Sequence, residues 1–291
     1  MVRRTILLTL LVLATGCRVR HDVQGGAIEL SDDGGTITRL AGPATRVVSL
    51  VPAATELVFA LGAGGRLVGR TKWCDFPAAA ALVPSVGDGL QPNVEAVAAA
   101  RPDLVLMYRS PSNTDATAKL RRLGVPVLEL ALDRFEDFER AARVVGAALG
   151  QPGVGDSLAT AARAALEAAT VPAADRPTVL VVVWSDPPMT IGGGSFLNEI
   201  IHRAGGRNVF ADIAKPSFAV ALEAVAARNP DRVLSVGEAM PAFANRPEWQ
   251  VIDAVRARRF VTVTGSLFNR PSPRMAEAVA ALGKALKAST P

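Results

Sequence analysis

The chain has 291 residues, and its only imidazole and thiol groups are two histidines, His21 and His202, and two cysteines, Cys17 and Cys74. Zinc and manganese sites draw on several His or carboxylate ligands, so a free transition metal is not expected as cofactor or cargo. The nucleophile elbow Gly-x-Ser-x-Gly, the Walker loop and His-Glu-x-x-His are all missing. Gly192-Gly193-Gly194-Ser195 precedes a helical run and could offer backbone N–H groups to a phosphate. It fits no glycine fingerprint, however, and a tight strand-to-helix turn explains it as well. His202 ends the run Asn198-Glu199-Ile200-Ile201-His202 and reads as a surface residue. No catalytic residue is assigned, and the chain is not expected to be an enzyme.

Aromatic side chains are scarce, which makes their positions informative. Trp73, Tyr108 and Trp184 each fall at or just after the end of an expected strand, where open α/β sheets bind ligands. Phe218 lies in the loop Lys215-Pro216-Ser217-Phe218, and Phe268 and Arg270 lie in the proline-stiffened stretch Ser266 to Arg274. Singly, each reads better as a core residue. Jointly, aromatic loops from both halves suggest a cleft for a large, flat, partly apolar ligand. Trp249 is read as structural.

The elements that position these residues begin at Arg46-Val47-Val48-Ser49-Leu50, a β-branched run suited to a buried strand. Pro52 opens a helix that Gly62 can cap, a second strand spans Arg66 to Arg70, and Trp73 to Pro77 forms an aromatic loop. Strand and helix then alternate to Leu149, as a parallel α/β sheet requires. From Val154 to Thr170 runs an Ala/Leu/Arg/Glu-rich helix almost free of breakers. A second βαβ series is expected to follow, including one helix from Trp249 to Ala257.

An internal repeat ties the halves together. Val94-Glu95-Ala96-Val97-Ala98-Ala99-Ala100-Arg101-Pro102-Asp103-Leu104-Val105-Leu106 aligns without a gap on Leu222-Glu223-Ala224-Val225-Ala226-Ala227-Arg228-Asn229-Pro230-Asp231-Arg232-Val233-Leu234. The alanines carry little weight; the fixed Glu-to-Pro-Asp spacing implies two pseudo-symmetric lobes.

At the N-terminus, Arg3-Arg4, a short apolar run from Thr5 to Leu13 and Ala14-Thr15-Gly16-Cys17 read as a secretory signal ending in a lipobox cysteine. Removal of Arg3 and Arg4 lowers the formal charge from +5 to +5 − 2 = +3, and the basic residues are scattered. That pattern gives no nucleic-acid footprint. No run reaches the roughly 20 apolar residues of a membrane-spanning helix. Cys74 is then the one remaining thiol, expected to be a small buried or cleft-lining residue.

By the stretch Arg46–Pro77, the two Glu…Pro-Asp units and Phe268–Arg274, the chain resembles the substrate-binding proteins of ABC importers for vitamin B12, haem or iron–siderophores, most nearly the B12 binders. The resemblance implies two α/β lobes joined by one backbone helix, with the ligand between them. It divides the chain into a signal and lipobox at 1–17, a tether and hairpin at 18–43, lobes at 44–150 and 173–291, and a linking helix at 151–172. It implies that Trp73, Tyr108 and Arg270 bind the ligand, to which the reading of the chain adds Pro52, Trp184, Phe218 and Phe268, and that Glu95 and Glu223 dock onto a permease coupled to its ATPase. Ser266 and Ser217 depart from the B12 pattern, which often has an acidic residue and an aromatic there. A lipid-anchored, exported monomer carrying cobalamin or another corrinoid, without cofactor, is the expectation. Haem or a ferric siderophore is the alternative cargo, with Arg109 and Arg270 as candidate anion partners and Tyr108 or Met189 as candidate haem ligands. An envelope enzyme is a remote alternative.

Overall fold

The computed structural model describes residues 26–89, 91–172, 174–237 and 240–288; the signal segment and Cys17 lie outside them. An antiparallel hairpin, β1 (Ile28–Ser31) and β2 (Ile37–Leu40), comes first. Its turn is set by Asp32, which accepts the Thr36 N–H at 2.8 Å and pairs with Arg121 of the first lobe.

The first lobe follows as β3 (Val47–Ser49), α1 (Pro52–Ala60), β4 (Leu67–Arg70), α2 (Val94–Ala99), β5 (Leu104–Tyr108), α3 (Thr114–Arg122), β6 (Val127–Leu130) and α4 (Phe135–Ala148). Its four strands lie parallel in the order β4-β3-β5-β6. β3 and most of β5 are fully buried, as befits strands covered by helices on both faces. Pro52 stands at the first position of α1, where its missing N–H costs nothing.

α5 (Pro152–Ala169) carries the chain across, packing along α4 on one side and against α9 (Met275–Ala288) on the other. Its approach to α4 is backbone on backbone. A Cβ at Gly155 would stand 2.5 Å from the Ala142 carbonyl oxygen, so only glycine fits.

The second lobe comprises β7 (Thr178–Val182), β8 (Trp184–Ser185), β9 (Pro188–Ile191), α6 (Phe196–Arg203), β10 (Arg207–Asn208), β11 (Ser217–Ala219), α7 (Leu222–Arg228), β12 (Arg232–Val236), α8 (Asp253–Arg256), β13 (Phe260–Val263) and α9. A parallel sheet runs β10-β7-β12-β13, and beside it lies an antiparallel sheet, β11-β9-β8, that the βαβ expectation did not contain. The helix expected over Trp249–Ala257 is also broken. Residues 247–251 form a 3-10 turn, Ile252 is extended, and only then does α8 begin. The break lets Trp249 stack on Phe243 at 3.9 Å while Ile252 and Val255 fill the same core cluster.

The sequence repeat has a structural cause. Asp103 accepts the Thr45 N–H at 2.9 Å, the Thr45 hydroxyl at 2.7 Å and the Arg46 N–H at 2.9 Å. Asp231 accepts the N–H and hydroxyl of Thr178, both at 2.7 Å. In each lobe, therefore, the aspartate ties the start of one central strand to the chain entering its neighbour. The residues before Pro102 and Pro230, Arg101 and Asn229, both take left-handed backbone, with φ of 48° and 36°. Burial opposes ionisation of each aspartate, but the hydrogen bonds from Thr45, Arg46 and Thr178 outweigh it and hold both carboxyls below the ordinary range. A lowered folded pKa gives stability that is present above the unfolded value of about 3.9 and lost as pH falls through the folded one. Both groups are partly solvated, so each contributes at most about 1 kcal/mol. Urea midpoints measured at pH 7 and pH 3 should fall less in the Asp103→Asn, Asp231→Asn double variant than in the parent. An equal fall in both proteins would refute this account.

Candidate functional site

The carboxyl ends of the parallel strands of both lobes face one another across a cavity of about 810 Å³. Leu50 and Tyr108 approach from the first sheet, and Val183 and Val236 from the second. This is the position where open α/β sheets leave room for a ligand.

Five of the seven expected ligand residues line the cavity: Pro52, Trp73, Tyr108, Phe268 and Arg270. Trp73 is 53% exposed, as a platform awaiting a stacking partner would be, whereas Phe268 is buried in the cavity wall. Trp184 and Phe218 do not line it, which corrects the expectation for both. Trp184 sits on the edge strand β8 with its indole N–H donated to the Asp186 carbonyl oxygen at 2.8 Å. Phe218 is turned away by the two-residue period of β11: Ser217 faces the cavity, and Phe218 packs edge-on against Phe210 at 5.6 Å. It therefore does not replace an aromatic at Ser217. Arg109 and Met189 are also absent from the lining.

Glu95 and Glu223 are exposed in the first turns of α2 and α7, away from the cavity lining. Cys74 is fully buried, with its Sγ 3.2 Å from the Thr71 hydroxyl. Trp249 is buried in the second-lobe core. Gly192 belongs to a close backbone crossing, since a Cβ there would lie 2.2 Å from the Ile213 carbonyl oxygen. Packing thus accounts for the glycine run.

Arg270 does not stand free in the cleft. Its Nε donates to Glu56 Oε1 at 2.8 Å, one terminal nitrogen donates to the Trp73 carbonyl at 3.0 Å, and the other pairs with Asp75. Arg274 grips the same glutamate, its Nε donating to Oε2 at 2.9 Å, and lies 3.5 Å over the Phe76 ring. Glu56 on α1 and Asp75 in the aromatic loop belong to the first lobe, and both arginines belong to the loop before α9. The cluster therefore clamps one lobe to the other. Glu56 is only 3% exposed. Sequence reasoning passes over it, although a lone carboxylate beside Leu57-Val58-Phe59-Ala60-Leu61 is a visible anomaly.

Tyr108 donates its hydroxyl to Asp133 at 2.6 Å. Burial, then the hydrogen bond and charge of Asp133, push that hydroxyl far above its ordinary pKa, so Tyr108 stays a neutral phenol. Asn113 donates its Nδ2 to the Tyr108 carbonyl at 2.9 Å, while its buried Oδ1 has no partner. Among the described lining residues the formal charges are those of Asp75, Asp88, Asp133 and Arg270. No group of three or more His, Cys, Asp or Glu suited to a metal ion occurs among the described residues.

Comparison with known proteins agrees with this architecture. An ABC transporter substrate-binding lipoprotein of Bacillus subtilis is 30% identical over 255 residues, covering 84% of this chain and 81% of that protein. The vitamin B12-binding protein of Vibrio parahaemolyticus is 27% identical over 247 residues, covering 84% of this chain and 90% of its own. Among solved structures, the periplasmic heme-binding protein of Roseiflexus sp. RS-1 superposes with a TM-score of 0.73 at 26% identity, covering 84% of this chain and 99% of that one. The periplasmic binding protein family matches residues 47–267, and with two lobes, a single crossing helix and the cleft between them the chain belongs to that family.

Proposed function

We propose that this protein is the substrate-binding lipoprotein of an ABC importer, anchored through Cys17, which captures cobalamin or a related corrinoid between its lobes and delivers it unchanged to the membrane permease. The importer role is supported by the family and by the lipoprotein relative of Bacillus subtilis; the cargo is supported by the B12-binding relative and by the chemistry of the cleft.

One observation carries the choice of cargo. The described lining holds three aspartates against one arginine, and that arginine is already paired to two carboxylates, Asp75 among them. Such a surface suits a ligand whose rim donates hydrogen bonds, and a corrin rim is studded with primary amides. The carboxylates of haem and of many ferric siderophores would meet like charge, which is costly where water is excluded. Ferric haem also prefers a tyrosinate among phenolic ligands, and the hydrogen bond to Asp133 holds Tyr108 protonated.

Calorimetric titration of the purified protein with cyanocobalamin, haemin and a ferric hydroxamate tests the proposal. One-to-one binding of cyanocobalamin is expected. Trp73→Ala should weaken it by about 2 kcal/mol, roughly thirtyfold, because an aromatic platform at the centre of an interface is a typical hot spot. Heat with haemin and silence with cobalamin would replace the cargo and leave the transport role standing.

A further inference from the structure

The clamp between the lobes has a second consequence, which concerns charge. Glu56 is the only residue of α1 that brings a charge into the core, and its ion-pair partners, Arg270 and Arg274, both come from the other lobe. Burying a carboxylate costs several kcal/mol before pairing, and apolar residues of similar volume often serve stability as well. Arg270 lines the cavity, and its guanidinium would otherwise be the strongest anion-binding group there. Glu56 and Asp75 instead occupy its Nε and one terminal nitrogen, and Glu56 also takes the Nε of Arg274. Two carboxylates against two guanidiniums leave the cluster with no net charge.

We propose that Glu56 is a specificity-determining residue: by neutralising Arg270 and Arg274 across the lobe boundary, it turns the cleft away from carboxylate-bearing ligands and toward neutral, amide-bearing ones. This rests on the cleft being the ligand site, but not on cobalamin being the cargo.

The first test needs no ligand. In a Trp184→Phe background the exposed indole outside the cavity is gone and Trp249 is buried, so Trp73 is the accessible fluorophore. Its quenching by iodide is compared with that by neutral acrylamide, at constant ionic strength, in the parent, in Glu56→Gln and in Asp75→Asn. Asp75 is largely exposed, so its variant keeps the test open if the buried substitution fails to fold. The iodide-to-acrylamide ratio should rise about twofold in both variants as the cleft potential becomes less negative. An unchanged ratio overturns the proposal.

The second test compares cyanocobalamin with its monocarboxylic acid, a ligand of the same size in which one amide is a carboxylate. The parent should prefer the amide, and both variants should narrow that preference by on the order of tenfold. Equal weakening of both ligands would reduce Glu56 to a mechanical clamp and overturn the assignment. If the parent binds neither corrinoid, the choice of cobalamin fails by itself. Haemin against its dimethyl ester then supplies the same charge contrast: a narrowed preference for the ester supports the assignment, and equal weakening overturns it.

Discussion

Replacing Glu95 and Glu223 together with alanine should abolish cargo uptake by cells while leaving the affinity for cargo within about twofold, since neither side chain reaches the cavity. Both are exposed, both stand in the first turn of a short helix, and both lie the same distance in sequence before a strand-tying aspartate. The two lobes thus present one carboxylate each from equivalent positions, which would give basic groups of a permease a two-point contact. Rim charges of this kind steer encounter and fix orientation more than they add affinity, so single substitutions should slow uptake severalfold and the pair should act more than additively. The measurement is uptake of labelled cargo by cells expressing the permease, beside calorimetry on the purified variant. Unimpaired uptake would remove these residues from the docking surface and leave them as acidic first-turn residues favoured by the helix dipole.

Glu56→Ala should cost about 3–5 kcal/mol of folding stability, the largest single-site loss expected outside the apolar core. Most of that comes from what is left behind. Arg270 and Arg274 are largely buried, and without the glutamate they are left to Asp75, the Trp73 carbonyl and the Ser266 hydroxyl. Adding Arg274→Met should restore part of the loss, because one of the stranded charges is then removed. Urea denaturation of the two single variants and the double variant forms the cycle. A loss below about 1 kcal/mol for Glu56→Ala would mean that water reaches the cluster and that the pairing is worth no more than a surface ion pair.

Much of the scaffold is legible in the sequence because it repeats. The Glu-to-Pro-Asp spacing announces two lobes, and the aspartates do the same task in each, holding Thr45 and Thr178. The first lobe is easy to follow since its buried parallel strands read as apolar runs between clear breakers. The second is harder because β8, β9 and β11 are short and antiparallel, and two- to four-residue strands leave almost no period to detect. That is also why the sequence points Phe218 into the cleft. A one-residue difference in register decides which side of β11 faces the cavity, and no local pattern fixes it. Trp184 misleads for another reason. β7 ends at Val182 and Val183 reaches the cavity, but the chain passes straight into β8, where the alternation of side chains puts Trp184 on the other side. Asp75, Asp133 and Asn113 give no signal of their own, and Glu56 shows only as a carboxylate in an apolar run, because their importance arises from partners brought together by the fold. Glu56 and Arg270 are 214 residues apart.

The single crossing by α5 sets the kinetics of capture. A continuous helix, locked to α4 by the Gly155 contact and reinforced across the cleft by the arginine clamp, makes the protein a caliper with a preset gap rather than a pair of closing jaws. Capture then requires no slow conformational step. Association should proceed at ordinary diffusive docking rates, about 10⁵–10⁷ M⁻¹s⁻¹, and differences in affinity among cargoes should appear almost wholly as differences in residence time. By microscopic reversibility such a caliper also releases its cargo without opening, at a rate set only by the contacts the cargo makes.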